Sequence, residues 1–427
     1  MKRGFYTIMA AQFFSSLADN ALLIAAIALL IEIQAPEWMR PLLKLFFTVS
    51  YVALAPFVGA FADSMPKGKV MFITNLIKVV GCALLFWSVH PLAAYAVVGF
   101  GAAAYSPAKY GILTELLPPE RLVAANGWIE GTTVGSIILG TALGGALISP
   151  SMAGWLLSLD FPGLELGIDT PAEAAIVVVS LIYAIAAGFN LYVPDTGARY
   201  PHQERNPLRL VVEFAHCLRK LWADPLGQIS LAVTTLFWGA GATLQFIVLK
   251  WAEVQLGLSL SSAAKLQGVV AVGIAFGAVF AARFVSLRGS VKVLRVGVAM
   301  GLLVPLMTLV NDLAWAYPLL VLVGGLAGFF VVPMNALLQH RGHNLMSAGH
   351  SIAVQNFNEN LSVLIMLGLY SVLIQADLHV SWVIWLFGLF IAGAMALVLR
   401  RHRINQSQCD SVALIGTVTA PVGERRG

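Results

Sequence analysis

A few charged and amide side chains interrupt long apolar segments of this sequence. Asp19 and Asn20 lie inside one such segment, Lys109 lies inside a second, and Glu359 lies inside a third. A charge at membrane depth costs about 3 kcal/mol or more, so such side chains usually belong to a substrate pathway or have a buried partner. Charges in three different segments therefore predict a transporter with a polar site between its helices.

Further amides accompany these charges. Gln355 and Asn356 precede Glu359 by about one helical turn, which places all three on neighbouring positions of one helix. Asn335 and Gln245 lie in two other apolar segments. Amides in membrane helices hold helices together as readily as they line a cavity. The sequence leaves both roles open and favours substrate contact.

Two lysines lie far from the ends of their apolar segments. Lys109 follows Pro107, which is expected to kink its helix and free backbone carbonyl groups. The cation at position 109 is expected to meet an anionic ligand or to pair with Asp19 or Glu130. Lys78 is also placed too deep to reach the membrane surface easily, and it is a candidate for pairing with an acid.

The composition identifies the broad class of the protein. The chain has 427 residues, of which 59% are hydrophobic and 11% are charged, whereas soluble domains carry about 25% charged residues. Its three cysteines are far apart, which predicts neither a disulfide framework nor a metal site. The nucleotide-binding motif GxxxxGK[ST] and the hydrolase motifs GxSxG and HExxH do not occur. The sequence therefore predicts an all-α polytopic membrane protein that is not an enzyme and uses no cofactor.

A membrane-spanning helix needs about 20 apolar residues, and about twelve segments meet that length. They cover 5–33, 39–63, 69–89, 91–114, 122–149, 172–194, 226–252, 261–285, 291–311, 313–338, 345–375 and 379–399. These segments predict a six-helix half over 1–194, a cytoplasmic linker with an amphipathic helix over 195–225, a second six-helix half over 226–401 and a disordered tail over 402–427. A substrate site near the middle of the membrane, between two repeated halves, is the pattern of an alternating-access transporter.

The charges also predict orientation. Most of the 26 Lys and Arg residues lie at the termini and in the even-numbered connections, whereas the odd-numbered connections carry mostly acids. Cytoplasmic loops are the ones enriched in Lys and Arg, so both termini are expected in the cytoplasm. Basic residues beside the spans also explain the pI of about 9.1 without nucleic-acid binding. The amphipathic helix of the linker either lies on an anionic membrane leaflet or joins the halves in solvent.

The first cytoplasmic connection contains GAFADSMPKGK, with Gly59, Asp63, Lys67 and Lys69. This segment resembles the loop signature of the major facilitator superfamily, in which a glycine, an acid and a basic residue recur at fixed spacing. Its position after the second predicted span fits that resemblance. These four residues are expected to stabilise one conformation rather than to touch substrate.

Longer segments resemble a family within that superfamily. AQFFSSLADNALL, SPAKYGIL and AVQNFNENLSVLIMLGLYS are similar to segments of the bacterial lysophospholipid transporters, and the similarity extends over nearly the whole chain. The resemblance implies transfer of lysophosphatidylethanolamine and lysophosphatidylglycerol from the outer to the inner leaflet of the inner membrane. There an acyltransferase/acyl-carrier-protein synthetase re-acylates them. It also implies that Asp19 and Lys109 are charges of the polar site.

One departure and one alternative remain. Some members of the family have an arginine where this chain has Gln245, which removes a cation that would hold an anionic headgroup. The alternative function is proton-coupled transport of a soluble amphiphile or drug, with Asp19 or Glu359 as the group that is protonated. Membrane lipids are expected partners in either case.

Overall fold

The computed structural model describes residues 3–36, 39–87, 89–158, 168–200, 203–376 and 378–415 of the protein. In these ranges the regular secondary structure is helical. Among the described residues, ten helices are long and apolar enough to cross a membrane, or eleven when one bent pair is counted as a span. The predicted all-α polytopic fold is confirmed. Contacts along the chain divide it into two compact units, which we call the first unit (Met1–Ile112 and Gly135–Leu210) and the second unit (Leu113–Val134 and Val211–Gly427).

The residues that the structure describes before the linker form eight α-helices. They are α1 (Arg3–Glu32), α2 (Met39–Ala53), α3 (Ala55–Asp63), α4 (Lys67–Phe86), α5 (Pro91–Leu116), α6 (Leu122–Leu147), α7 (Pro150–Leu157) and α8 (Pro171–Leu191). Helices α1 and α4 both pack on α8. Apolar side chains of these helices form a buried cluster in the first unit. The ends of α5 and α6 that fall in 113–134 belong to the second unit.

Two predicted spans differ from regular apolar helices. The segment 39–63 forms α2 and α3, which meet at an angle of 65°. Pro56 at the start of α3 lacks the amide hydrogen that a continuous helix would need, and this explains the break. The span at 91–114 is α5, whose 26 residues extend about 39 Å. It is not among the helices counted above as long and apolar enough to cross a membrane, and Pro107 lies inside it.

From the linker onward, the described residues form seven α-helices. They are α9 (Pro207–Ala223), α10 (Gly227–Leu256), α11 (Leu260–Phe284), α12 (Leu294–Leu303), α13 (Leu313–Leu345), α14 (Ala348–Gln375) and α15 (Val380–Gln408). Helices α11 and α13 pack closely against each other, because glycines face each other along their contact. A Cβ atom on Gly277 would overlap the carbonyl oxygen of Gly325. Small residues at such positions let the two backbones approach closely.

The linker contains the helix α9, and this helix is amphipathic. Leu210, Phe214 and Leu221 are buried, whereas Leu208 and Val212 are 79% and 70% exposed. The ring of Phe214 meets the ring of Phe357 on α14 edge to face, with 5.3 Å between their centroids. Helix α9 therefore packs on α14 through one face and keeps apolar side chains on its outer surface.

The segment predicted to be disordered from residue 402 is ordered as far as the structure describes it. Helix α15 continues to Gln408, and a 3-10 turn follows at Ser411–Leu414. The side chain of Asn405 donates a hydrogen bond of 2.9 Å to the carbonyl oxygen of Pro225, and Ile415 is buried. These contacts give the segment partners that its polar composition did not predict. Residues 416–427 of the predicted tail lie outside the described residues.

Candidate functional site

A buried ion pair joins α1 to α4 in the first unit. The Nζ atom of Lys78 lies 2.8 Å and 3.0 Å from the two carboxylate oxygens of Asp19. The lysine side chain is 1% exposed, and the aspartate side chain is 22% exposed. Each charge offsets the desolvation of the other, which is the condition for retaining charges at this depth. Asp19 is the member of the pair that a ligand can reach.

Hydroxyl and aromatic groups complete this pair. Tyr183 on α8 donates a hydrogen bond of 2.7 Å to Asp19, and Lys78 donates one of 3.0 Å to the hydroxyl of Ser15. The Lys78 ammonium also lies 5.1 Å and 5.3 Å from the ring centroids of Tyr105 and Tyr183. A cation held by aromatic rings and hydrogen bonds is fixed in position. The aspartate therefore has a preset orientation.

The other two candidates of the first unit are placed differently. Lys109 is half-buried, and its Nζ atom lies 4.2 Å from the ring centroid of Tyr110. The cation that pairs with Asp19 in the described residues is thus Lys78, and contact of Lys109 with an acid or an anionic ligand stays a prediction. The side chain of Asn20 donates to the carbonyl oxygen of Ser16 in its own helix, at 2.8 Å.

A chain of polar side chains crosses three helices of the second unit. Asn335 on α13 donates to Glu130 on α6 at 3.4 Å, and Gln355 on α14 donates to Asn335 at 3.1 Å. Gln355 also donates to Glu359, one turn along α14, at 2.8 Å. All four side chains are buried. We call these four residues the acceptor cluster, because two carboxylates and a glutamine oxygen dominate it.

One atom of the acceptor cluster lacks a donor. The side-chain oxygen of Gln355 has no hydrogen-bond partner among the described residues. Buried polar atoms are normally satisfied by protein, water or ligand. An acceptor left open beside Glu359 fits a ligand that donates hydrogen bonds. Asn356, the next residue on α14, is also buried.

Gln245 lies apart from these groups. It is exposed on α10 and borders an apolar cavity inside the second unit. Its backbone carbonyl accepts a hydrogen bond of 2.9 Å from the side chain of Gln267 on α11. The structure does not place Gln245 among the residues of the acceptor cluster.

The loop motif forms a compact buried contact in the first unit. Lys67 lies 2.5 Å from the carboxylate of Asp63 and donates to the carbonyl oxygen of Ala62 at 2.8 Å. Its Nζ atom is also 4.9 Å from the ring centroid of Tyr200. Gly59 is buried in α3, and Lys69 is exposed. These contacts tie α3, α4 and the segment after α8 together, as a structural element does.

Sequence reasoning missed some of these residues. The sequence indicated Lys78 only as a residue that pairs with an acid, and Glu130 only as a possible partner of Lys109. It did not indicate a role for Tyr183. The signal for Lys78 was its depth in an apolar segment, whereas a tyrosine among apolar residues carries no such signal. A buried ion pair in the second unit was also missed, in which Arg341 lies 2.5 Å from Asp224. No group of three or more His, Cys, Asp or Glu side chains that could hold a metal occurs in the described ranges.

Comparisons with known proteins identify a matching family profile and related sequences. The profile of the Major Facilitator Superfamily matches residues 8–366. The chain is 42% identical over 381 residues to the lysophospholipid transporter LplT of Yersinia enterocolitica, with 89% of each chain covered. It is also 42% identical over 376 residues to the lysophospholipid transporter LplT of Yersinia pestis, with 88% of each chain covered.

Solved structures of transporters share the fold. The human organic anion transporter MFSD10 superposes with a TM-score of 0.68 at 16% identity, covering 94% of this chain and 100% of that one. The transporter FucP in its outward conformation superposes with a TM-score of 0.67 at 13% identity, covering 94% of this chain and 98% of that one. At these identities the likeness concerns the fold alone.

Proposed function

Because the chain belongs to the major facilitator superfamily and is a homologue of the lysophospholipid transporter LplT, we propose that it carries lysophospholipids across a bacterial inner membrane. The observation that carries the proposal is the extent of that relationship, which covers most of both chains. Buried polar groups in apolar helices are the second support. A lysolipid has a polar headgroup and a single acyl chain, and both kinds of surface occur in this protein.

The finer features of the function follow the sequence resemblance. The substrates are lysophosphatidylethanolamine and lysophosphatidylglycerol, which move from the outer to the inner leaflet. An acyltransferase/acyl-carrier-protein synthetase then re-acylates them. Both termini face the cytoplasm. The basic residues at the termini and in the even-numbered connections support this orientation.

The chemistry of the polar groups supports a headgroup that donates hydrogen bonds. The acceptor cluster offers Glu359 and the open oxygen of Gln355, and these suit the ammonium group of ethanolamine or the hydroxyl groups of glycerol. In the first unit, Asp19 offers another carboxylate, and this one is partly exposed. Lys109 is a half-buried cation suited to the phosphate. The full set proposed to contact substrate is Asp19, Asn20, Lys109, Gln245, Asn335, Gln355, Asn356 and Glu359.

Uptake by spheroplasts tests the proposal. Spheroplasts that lack their own lysophospholipid transporter are supplied with labelled lysophosphatidylethanolamine, with and without this chain. We expect uptake only with the chain, strong competition by unlabelled lysolipid and weak competition by glycerophosphoethanolamine, which has the headgroup and no acyl chain. Absence of chain-dependent uptake, or equal competition by glycerophosphoethanolamine, would overturn the proposal.

An uncoupler added to a parallel sample distinguishes lysophospholipid transport from the alternative function, which is proton-coupled transport of a soluble amphiphile or drug. A proton-coupled transporter of a soluble amphiphile loses uptake when the proton gradient collapses, and glycerophosphoethanolamine-like soluble compounds compete for it. If the protein instead moves lysophospholipids between leaflets, a soluble headgroup without an acyl chain is a poor substrate. The two functions therefore give opposite competition results in one assay.

A further inference from the structure

A cavity of about 170 Å³ lies among α10, α11, α12, α13 and α15 of the second unit. It is similar in size to an apolar cavity of about 150 Å³ that stays dry and binds benzene, so it has room for a segment of a hydrocarbon chain. Two glutamines, Gln245 and Gln267, are the polar side chains that line it, and the remaining lining residues are apolar. None of the residues of the acceptor cluster lines it.

Small residues on neighbouring helices leave this space open. Gly241 and Ala240 line the cavity from α10, Ala271 lines it from α11, and Ala327 lines it from α13. A Cβ atom added to Gly241 would meet nothing within 4 Å. Larger side chains at these positions would fill the cavity. The open volume of the cavity therefore results from the small residues at these positions.

The lining selects the chemistry of the occupant. An apolar wall offers no hydrogen bonds to water or to a phosphate, and apolar cavities of this kind stay dry and bind hydrocarbon. The two glutamines are engaged at one side, where Gln267 donates to the backbone of Gln245. Polar groups at one side and hydrocarbon elsewhere match a molecule with one polar end and one apolar chain.

We propose that this cavity holds a segment of the acyl chain of the transported lysophospholipid. The inference rests on the proposed function for its ligand, and it adds a binding site for the chain that, of the residues proposed to contact substrate, includes Gln245 alone. One cavity accommodates one chain, so a monoacyl lipid is accepted and the second chain of a diacyl lipid is left without a site. The depth of the cavity then sets the chain length that is transported best.

Filling the cavity tests the proposal. The variant Gly241→Leu places a side chain in the open space, and Ala271→Leu fills the same cavity from α11. For each variant, uptake of lysophosphatidylethanolamines with 10, 14 and 18 carbons is compared in spheroplasts. We expect uptake of the 18-carbon lipid to fall about tenfold, the effect of displacing about two methylenes, while uptake of the 10-carbon lipid stays within about twofold of the unaltered protein.

Gly393→Leu is the matched control. Gly393 is exposed on α15, does not line the cavity and also has nothing within 4 Å of an added Cβ atom. This variant is expected to keep the original dependence on chain length. If one cavity variant fails to fold, the other decides. Equal uptake changes at all chain lengths, or no change in either variant, would overturn the proposal.

Photocrosslinking separates substrate from bilayer lipid. A lysophosphatidylethanolamine with a photoreactive group at the end of its chain is expected to label the peptide that contains Phe237 and Leu244, which line the cavity. Unlabelled lysolipid should suppress this labelling, and diacyl phosphatidylethanolamine should not. Equal suppression by the diacyl lipid would show that the cavity holds bilayer lipid and would overturn the proposal. Failure of the unaltered protein to transport any lysolipid would instead overturn the proposed function.

Discussion

The side-chain amides of Asn126 and Gln339 exchange two hydrogen bonds within the second unit. Asn126 donates to Gln339 at 2.9 Å, and Gln339 donates back to Asn126 at 2.8 Å. Both side chains are buried, and Asn126 also donates to the carbonyl oxygen of Leu122 in its own helix. Only a group with both a donor and an acceptor makes such an exchange. The pair therefore fixes α6 against α13 in one register.

Breaking this exchange should destabilise the protein. Gln339→Leu leaves the side-chain oxygen of Asn126 without its donor, which costs about 1–3 kcal/mol. Thermal unfolding in detergent is expected to show that loss. The double variant Asn126→Leu/Gln339→Leu should cost less than the sum of the two single changes, because no amide is left unsatisfied. Asn360→Ala is the control, since the Asn360 amide bonds only to its own helix at 2.8 Å. Additive single effects would contradict the pairing.

The Asp19–Lys78 pair gives a second prediction. Lys78→Ala leaves the Asp19 carboxylate, which is 22% exposed, without its cation, and the loss of one partner of such a pair costs at most about 3–5 kcal/mol. Protein levels in the membrane and the unfolding temperature should both fall. Asp19→Asn/Lys78→Ala should recover the protein level because neither charge is left, while uptake of lysophospholipid stays lost. The exposed Lys265, changed to alanine, serves as control. A stable Lys78→Ala protein with full uptake would refute the role given to the pair.

The charge of Glu359 is separable from its hydrogen bond. Glu359→Gln keeps an oxygen that accepts from Gln355, so the unfolding temperature should stay close to that of the unaltered protein. If the carboxylate binds the headgroup ammonium, uptake of lysophosphatidylethanolamine should fall about tenfold, whereas lysophosphatidylglycerol, which has no ammonium, should be less affected. Glu359→Ala should lower both stability and uptake. Full uptake in Glu359→Gln would leave hydrogen bonding as the role of this residue.

The orientation of the chain is tested by labelling. Single cysteines at Ala198 and Asp169 should react with an impermeant thiol reagent from opposite sides of the membrane. Cys82 and Cys217 are buried, and Cys409 is exposed, so Cys409→Ser provides the background. Asp169 lies just before α8, because the next residue, Thr170, caps the start of that helix through its side chain. Labelling of both positions from one side would contradict a membrane span between them and would overturn the span count.

The spans and the polar positions were predictable, but their partners were not. Apolar runs of about 20 residues mark spans directly, and Asp19 and Glu359 stand out because charges are rare inside them. The partner of Asp19 depends on how α1 and α4 are rotated about their axes. Periodicity does not report this rotation when a helix is apolar on every face. For the same reason the link from Glu130 to Asn335 and the apolar cavity had no signal in the sequence.

The Asp19–Lys78 pair also has an electrical consequence. Moving one elementary charge through a membrane potential of 100 mV involves about 2.3 kcal/mol. A carboxylate and an ammonium 2.8 Å apart move as a neutral unit, so a rearrangement that carries both together does no work against the potential. Lysophosphatidylethanolamine is itself zwitterionic. Rearrangement of this pair with that lipid is therefore insensitive to the voltage across the membrane.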